Sequence, residues 1–251
     1  EASYRRALEI RPDFAEAHSN LLFAYNYDPR QAPDFCLDEA KRYGQMASGK
    51  VGRRYAAWSC PVQPARLRIG LVSGDLRAHP VGYFLEGLLA RLDHGRVELV
   101  AYATDHRTDT LTERIRPAFS AWKSLVGLPD REAAALIHAD GIHVLIDLAG
   151  HTAHNRLPVF AWKPAPVQAS WLGYFATTGV AEMDYLLVES EGVPEDQRAC
   201  FTEALCYLPD TRLCFTPPAT DLPVAPLPAL HNGWLTFGCF QNLTKVGEGV
   251  L

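Results

Sequence analysis

The run RLRIGLVSGDLRAHPVGYFLEGLLARL, residues 66 to 92, sets the architecture of this chain. Residues 67 to 75 read as a buried strand that is closed by a Ser-Gly-Asp turn. Pro80 suits the first position of a helix, and apolar residues recur at helical spacing over 81 to 92. We therefore expect His79 at the carboxyl end of a strand and the amino end of a helix, where open α/β sheets bind their ligands.

His79 is the first candidate for chemistry. The amino end of a helix carries partial positive charge, which disfavours imidazolium and helps to keep a histidine neutral and able to accept a proton. A solvated histidine that only caps the helix is the alternative, and this stretch taken alone favours that alternative.

Strand and helix patterns alternate beyond this run. Strands are predicted at 97 to 104, 144 to 148, 167 to 172 and 185 to 188, and helices at 111 to 122 and 130 to 139. This alternation is typical of a mostly parallel sheet with helices on both faces, so we predict an α/β lobe over residues 66 to 230.

The flanking segments predict further parts. Residues 1 to 30 read as two helices around Pro12 and resemble the junction of two tetratricopeptide repeats, although a generic helical hairpin fits them nearly as well. Residues 31 to 65 read as a helical linker, and Trp234 to Phe240 as a strand that begins a second lobe over 231 to 251. Because the chain starts at a Glu and stops shortly afterwards, we expect both ends to be cuts in a longer protein.

Composition excludes several classes of function. The net charge of -5, without a basic block, gives no support to nucleic-acid binding. The six cysteines form no C-x-x-C pair and have no metal-ligand spacing to histidine, so we expect reduced thiols, no metal and a cytoplasmic protein. No apolar run approaches the ~20 residues of a membrane span, and no signal peptide opens the chain.

The nucleotide, hydrolase and metalloprotease motifs G-x-G-x-x-G, G-x-x-x-x-G-K-[ST], G-x-S-x-G and H-E-x-x-H are absent from the sequence. Polar residues gather instead after the predicted strands, in four groups: Asp75 with His79, Asp147 with His151 and His154, the glycine and threonine loop 173 to 179, and Gln241 with Asn242 and Lys245. In a doubly wound sheet these loops lie along one edge, so they can form one cleft.

Each group also has a plainer interpretation. Asp147 and His151 can pair to close a turn, residues 173 to 179 can be only a loop, and Lys245 can be a solvated surface lysine. In the functional interpretation, the ammonium of Lys245 stabilises negative charge on a phosphate leaving group.

Several runs together resemble one family. These runs are SGDLRAHPVGYF (73 to 84), DGIHVLIDLAGHTAHNRL (140 to 157), KPAPVQASWLGYFATTG (163 to 179), MDYLLVES (183 to 190) and FGCFQNLTKV (237 to 246). They resemble the amino-terminal catalytic lobe of the O-linked N-acetylglucosamine transferases, glycosyltransferase family 41. The resemblance covers essentially the whole chain, and the repeat-like residues 1 to 30 agree with it.

The resemblance implies a GT-B fold with two Rossmann-like lobes and an inverting transfer of N-acetylglucosamine from UDP-GlcNAc to Ser or Thr hydroxyls of proteins, without a metal or other cofactor. It implies that acceptor proteins bind through the tetratricopeptide repeats. It also implies that the second lobe, largely absent from this chain, holds most of the nucleotide.

The same resemblance assigns roles to residues. His79 matches the active-site histidine, as base or as acceptor-side contact, with Asp147 and His151 as second candidates. Lys245 matches a lysine on the donor diphosphate, and Asn242 a polar donor contact. The donor-side loop is matched by Leu172, Gly173 and Phe175. The family often has Pro-Gly where this chain has Phe-Ala at 175 and 176, which puts the shape of that loop in question.

Two other functions stay open at this point. SPINDLY-type enzymes share these motifs, including D-L-A-G-H-T at 147 to 152, which implies O-fucosyl transfer from GDP-fucose as an alternative. A repeat-based scaffold that binds proteins without catalysis is the third, and the presence of both His79 and Lys245 argues against it.

Overall fold

The structure, a computed structural model, describes residues 1–28, 30–217 and 222–240. The chain divides into two compact units, residues 1–216 and 217–251. The seven strands of the first unit are β1 (Leu67–Ser73), β2 (Val97–Ala103), β3 (Ala121–Ser124), β4 (Val144–Asp147), β5 (Val167–Ser170), β6 (Tyr185–Val188) and β7 (Ala204–Tyr207). Its helices are α1 (Ala2–Ile10), α2 (Ala15–Tyr25), α3 (Pro33–Gly49), α4 (Pro80–Leu89), α5 (Thr110–Ile115), α6 (Asp130–Ala139) and α7 (Leu157–Phe160).

All seven strands pair in parallel, in the order β3-β2-β1-β4-β5-β6-β7. The chain runs outward from β1 through β2 to β3, and then returns through α6 to place β4 on the other side of β1. This reversal makes a topological switch point between the carboxyl ends of β1 and β4, the place where such sheets bind ligands. The predicted parallel α/β fold is confirmed.

Alternating strand residues send their side chains to opposite faces of the sheet, and each face has its own core. On one face Leu71 and Leu99 join a cluster that includes residues of α4 and α5. On the other face Val72 and Leu145 join a cluster that includes residues of α2, α3, α6 and α7. The helices before the sheet are therefore part of its core and stabilise one face of it.

The helix predicted over residues 111 to 122 needs correction. The expected helix over 111 to 122 ends at Ile115 and passes through a short 3-10 turn, Arg116–Ala118. Pro117 has no amide hydrogen for the helix ladder, which stops the helix there. Trp122 then lies in the edge strand β3, beside β2, and its ring packs edge-on to Phe119 with 5.2 Å between ring centroids.

The sequence analysis missed β7 as well as β3. Both are four-residue strands at the two edges of the sheet, and neither is fully buried. An edge strand contributes one exposed side and few apolar residues, so its periodicity is weak.

In the second unit the described residues contain one short helix, α8 (Pro228–Asn232), which ends at Gly233 with φ 80°. The strand expected over Trp234 to Phe240 is not formed: these residues have no strand assignment, and within 222–240 no second strand exists to pair with them. A strand needs hydrogen bonds from a neighbour, so an apolar run alone does not make one. No described helix, in either unit, is long and apolar enough to cross a membrane.

Candidate functional site at the carboxyl edge of the sheet

The loop after β1 holds His79 in place. Its Ala78 amide donates a hydrogen bond of 2.7 Å to the carboxylate of Asp109, which also caps α5 by accepting from Leu111 and Thr112. The Thr112 hydroxyl donates to the Leu76 carbonyl at 2.8 Å. The start of α5 therefore fixes the loop from one side, so that His79 enters α4 in a defined orientation.

His79 is the amino-terminal cap of α4, as the sequence predicted. Its Nδ1 atom accepts from the Val81 amide at 3.3 Å and lies 3.6 Å from the Asp75 carboxylate. The side chain is 37% exposed, so one side of the ring is open to solvent. With Nδ1 as the acceptor, the proton of the neutral ring lies on Nε2; donation from Nδ1 to Asp75 would instead leave Nε2 free to accept a proton.

The surroundings lower the pKa of His79 below the ordinary value for histidine. Partial burial is the main cause, and the positive charges of Arg77 and Arg107 act in the same direction, while the Asp75 carboxylate opposes them. The ring is therefore neutral near neutral pH, the state in which histidine can act as a base. Burial and the two arginines therefore lower the pKa of His79, whereas the sequence analysis attributed its neutral state to the amino end of the helix.

The loop after β2 adds charged groups to the same edge. Arg107 pairs with Asp105 at 2.5 Å, and its guanidinium lies 3.3 Å from Nε2 of His154, which comes from the loop after β4. His154 has a left-handed backbone with φ 61°, uncommon outside glycine. We name Asp75, Arg77, His79, Asp105, Arg107 and His154 the edge cluster.

The edge cluster contains residues that the sequence analysis did not select. Arg77, Asp105 and Arg107 belong to it, and the polar run TDHRTD at 104 to 109 was the available signal, since it follows a predicted strand. The loops after β1, β2 and β4 meet because parallel strands end at one edge.

The loop after β5 reaches this edge too, and it contains the predicted donor-side residues. Leu172 is nearly buried and has φ 74°, a strained conformation for a leucine. Gly173 packs directly against the start of the loop after β4, because a Cβ atom there would lie 2.0 Å from the Leu148 carbonyl oxygen. Phe175 is 54% exposed and lines a cavity of about 130 Å³ with Val188 and Arg212. Ligand pockets usually measure ~300–1,000 Å³, so this cavity alone is too small for a sugar nucleotide.

Asp147 and His151 do not face the cleft, contrary to expectation. Both are 0% exposed. Asp147 accepts hydrogen bonds from the Ala149 and Gly150 amides at 3.2 and 2.7 Å and from the Ser170 hydroxyl at 3.0 Å, so it does close the turn, but without His151. Burial raises the pKa of Asp147 to about 6.

His151 instead joins the helical segment to the sheet. Its Nδ1 atom lies 2.8 Å from the Ser19 hydroxyl of α2, and its Nε2 atom lies 3.0 Å from the Thr178 carbonyl oxygen. A carbonyl only accepts, so Nε2 carries the proton and Nδ1 accepts from Ser19. Burial lowers the pKa of His151 to about 3, which suits a neutral structural residue.

The last predicted group cannot be placed. Gln241, Asn242 and Lys245 lie outside the described residues. Within the described ranges, no three histidine, cysteine or acidic side chains come together as a metal site would require.

Comparison with known proteins gives a consistent result. The family model described as Glycosyl transferase family 41 matches residues 30–215. A Petunia hybrida protein named as a probable UDP-N-acetylglucosamine--peptide N-acetylglucosaminyltransferase SPINDLY is 37% identical over 249 residues, 97% of this chain and 27% of that protein. The corresponding protein of Arabidopsis thaliana is also 37% identical, over 248 residues.

Two further relatives extend the comparison. A UDP-N-acetylglucosamine--peptide N-acetylglucosaminyltransferase of Caenorhabditis elegans is 33% identical over 201 residues, 77% of this chain and 17% of that protein. A mutant O-GlcNAc transferase from Thermobaculum terrenum has a solved structure that superposes with a TM-score of 0.89 at 38% identity, over 99% of this chain and 47% of that one. The chain thus spans about a quarter of the length of the SPINDLY relatives.

Proposed function

The chain belongs to glycosyl transferase family 41, and from this premise we propose that it contributes the acceptor-side lobe of an inverting glycosyltransferase that moves N-acetylglucosamine from UDP-GlcNAc to Ser or Thr hydroxyls of proteins. One observation carries the proposal. His79 lies at the switch point of a doubly wound sheet, half-exposed, with its pKa held below the ordinary value.

His79 is the proposed base or acceptor-side contact. The acceptor hydroxyl attacks the anomeric carbon from the face opposite the nucleotide, which inverts the configuration there. As the new carbon–oxygen bond forms, the hydroxyl proton passes to a base, and the bond to the diphosphate breaks. In the neutral tautomer with the proton on Nδ1, which gives up the bond from the Val81 amide and turns Nδ1–H toward Asp75, 3.6 Å away, His79 can take that proton through Nε2.

The leaving diphosphate gains negative charge, which a nearby cation stabilises. Lys245 and Asn242, which the family resemblance matches to donor contacts, are the proposed groups. Leu172, Gly173 and Phe175 are proposed to lie against the donor, in a loop whose strained backbone at Leu172 supports a binding role.

The remaining features of the proposal concern conditions and partners. We propose that transfer needs no metal or other cofactor, so activity should persist in EDTA. Residues 1 to 30 are proposed as tetratricopeptide repeat that helps to bind acceptor proteins, since α1 and α2 form the expected helical pair. All six cysteines, which lie in the described part of the chain, are unpaired. Free thiols support the proposal of a cytoplasmic protein.

Incubation of the full-length protein with radiolabelled UDP-GlcNAc and a Ser/Thr acceptor peptide tests the function. We expect label on the peptide, with the β-linkage that inversion of an α-linked donor produces, in the presence of EDTA. Failure of label to reach the peptide, while the folded protein binds UDP, would remove the transfer reaction from the proposal.

A second candidate is O-fucosyl transfer from GDP-fucose. The motif D-L-A-G-H-T at 147 to 152, which this chain shares with SPINDLY-type enzymes, is the feature that favours it, while the SPINDLY relatives themselves are named as N-acetylglucosaminyltransferases. Parallel assays with labelled GDP-fucose and UDP-GlcNAc separate the two donors. Label from GDP-fucose alone would select the second candidate.

A further inference from the structure

A second surface of the first unit carries positive charge and contributes nothing to the edge cluster. It is an open groove of about 1010 Å³ between the link that follows α3 and the helix α6. Its lining includes four cationic and two aromatic side chains: Lys50, Arg53, Arg54, Arg131, Tyr55 and Trp162. A chain with a net charge of -5 thus concentrates four positive charges in one concave place.

Two of these cations are neutralised within the fold, and two are not. Arg54 pairs with the buried carboxylate of Glu182 at 2.6 Å, and Lys50 with Asp13 at 3.4 Å. Arg53 and Arg131 are exposed and form no ion pair or side-chain hydrogen bond with any residue of the described ranges. A groove lined by one sign of charge focuses its field and attracts ligands of the opposite sign.

Residues 50 to 57, which follow α3 and form one wall of the groove, have no helix or strand and are anchored by contacts of their later residues. The Tyr55 amide donates to the Trp162 carbonyl at 3.0 Å, and the His138 ring contacts the Ala57 carbonyl at 2.9 Å and stacks on Tyr55 with 3.8 Å between centroids. Between these anchors and α3, the peptide groups of Gly52, Arg53 and Arg54 form no hydrogen bonds with other described residues. Exposed amides and carbonyls of this kind can pair with an extended peptide.

The size and the chemistry of the groove identify the occupant. A volume at the upper end of the ~300–1,000 Å³ range of ligand pockets far exceeds one phosphate group. Free carbonyls as well as free amides suit a polypeptide, which both donates and accepts, better than an inorganic anion, which only accepts. The guanidinium groups of Arg53 and Arg131, which have no acidic partner in the described ranges, favour a polypeptide that carries carboxylates.

We propose that this groove binds an acidic, extended segment of a protein. Arg131 is the second residue of α6, which begins after the carboxyl end of β3, so this end of the groove lies at the same sheet edge as His79, although α6 and α4 pack on opposite faces of the sheet. A segment bound here can therefore belong to an acceptor protein whose hydroxyl lies at the edge cluster. That last identification depends on the proposed function, whereas binding itself does not.

Fluorescence anisotropy with the full chain tests the binding without any sugar donor. The probe is a fluorescein-labelled peptide of alternating Glu and Ser, and its control has Gln in place of Glu. We expect the acidic peptide to bind, with an affinity that falls at high salt. The Gln peptide should bind at least about tenfold more weakly, because it lacks the charges that contact Arg53 and Arg131. The double variant R53E/R131E should lose about tenfold or more in affinity for the acidic peptide.

A matched variant shows whether the site or only the net charge matters. Arg96 is exposed and forms no ion pair in the described ranges, and R96E should bind the acidic peptide within about twofold of the parent, whereas the single variants R53E and R131E, which change the net charge by the same amount, should each bind it more weakly than R96E does. Equal binding of the two peptides, or equal losses in R96E and in the single variants R53E and R131E, would overturn the proposal. Displacement of the labelled peptide by tripolyphosphate as effectively as by the unlabelled acidic peptide, at the same charge concentration, would also overturn it, since the groove would then be a simple anion site.

The result is distinguishable from failure of the proposed function. Acidic-peptide binding that depends on Arg53 and Arg131, in a protein that transfers no sugar, would uphold the groove and reject the transferase. In an active protein, R53E/R131E should raise the KM for an acceptor that carries an acidic segment and leave the KM for a neutral acceptor unchanged.

Discussion

The Ser19 hydroxyl donates to Nδ1 of His151 across 2.8 Å, and this bond connects α2 with the loop after β4. Ser19 also accepts from the Asn155 side chain at 3.0 Å. All of the hydrogen-bonding capacity of the buried imidazole is therefore used by residues far apart in sequence. The helices before the sheet and the sheet itself form one cooperative structure, which is the reason that changes at this contact should affect the stability of the whole unit.

Ser19→Ala should lower the free energy of unfolding by about 1 to 3 kcal/mol, since it leaves Nδ1 of His151 and the Asn155 amide without their buried partner. Urea denaturation followed by tryptophan fluorescence measures it. Ser190→Ala is the control, because Ser190 is exposed and its hydroxyl bonds, among the described residues, only to its neighbour Glu191. Equal effects of the two variants would show that the buried bond contributes nothing.

Acid should weaken the fold through His151. Its pKa is about 3 in the folded state and ~6.5 in the unfolded chain, so the unfolded chain binds the proton first and stability falls as pH decreases from 6.5 toward 3. Asp147 acts in the opposite sense, because its folded pKa of about 6 exceeds its ordinary ~3.9, and its contribution to stability grows as pH falls from 6 to 4. His151 therefore lowers stability as pH falls, and Asp147 opposes it over part of the same range.

His151→Gln removes the titrating ring and leaves Asp147 in place. The parent should lose more stability than H151Q between pH 6.5 and 4, because the loss through His151 is absent from the variant while the other groups with lowered pKa values, such as His18 and His79, titrate in both proteins. Denaturation midpoints across this pH series provide the measurement. Parallel profiles for the two proteins would assign the acid sensitivity to other groups.

Close backbone contact between α3 and the loop after β5 gives a third prediction. A Cβ atom on Gly44 would lie 1.7 Å from the Gly179 carbonyl oxygen, so Gly44→Ala forces the two backbones apart. We expect a loss of about 1 to 3 kcal/mol or more. Gly49 lies in the same helix with nothing near its added methyl group, and Gly49→Ala should be neutral or stabilising by up to about 1 kcal/mol. Thermal unfolding of both variants separates the effect of the backbone contact, present only at Gly44, from the effect of helix propensity, present at both positions.

The central part of the fold was predictable, and the reason is physical. Strands such as β1 and β4 are covered on both faces, so their sequences are continuous apolar runs that predict a buried strand. Pro80 likewise predicts the start of α4. The sequence predicts edge strands and the end of α5 less well, because their local signals are weaker. The run Trp234 to Phe240 shows that apolar residues do not specify a strand without a partner strand.

The site was only half predictable for a related reason. The position of His79 follows from strand and helix order alone, which the sequence contains. The environments of Asp147 and His151 depend on Ser170, Ser19 and Thr178, which are distant in sequence, so polar residues that follow a strand looked alike whether they faced solvent or the core.

His79 has two functions that substitution can separate. It caps α4 by accepting from Val81, and it is the proposed base. His79→Asn keeps a side chain that caps helices well and removes the base, whereas His79→Ala removes both, at a cost of about 0.5 to 2 kcal/mol. We expect transfer to be abolished in both variants, with the melting temperature lowered only in H79A. Substantial transfer by a well-folded H79N would remove His79 from the chemistry.

The charges around His79 give the last prediction, on the pH dependence of transfer. A base must be unprotonated, so activity should fall as pH decreases through the pKa of His79, which lies below the ordinary value for histidine. Arg107→Gln removes a positive charge that lowers this pKa, so the acid limb of kcat/KM should move to higher pH. Asp75→Asn removes the carboxylate that raises it, so the limb should move to lower pH. Arg96→Gln, outside the cluster, should leave the limb in place. The two substitutions remove opposite charges, so shifts of the acid limb in opposite directions identify the titrating group as one near both Arg107 and Asp75. A shift of the acid limb in the same direction in both variants would place the proton on another residue.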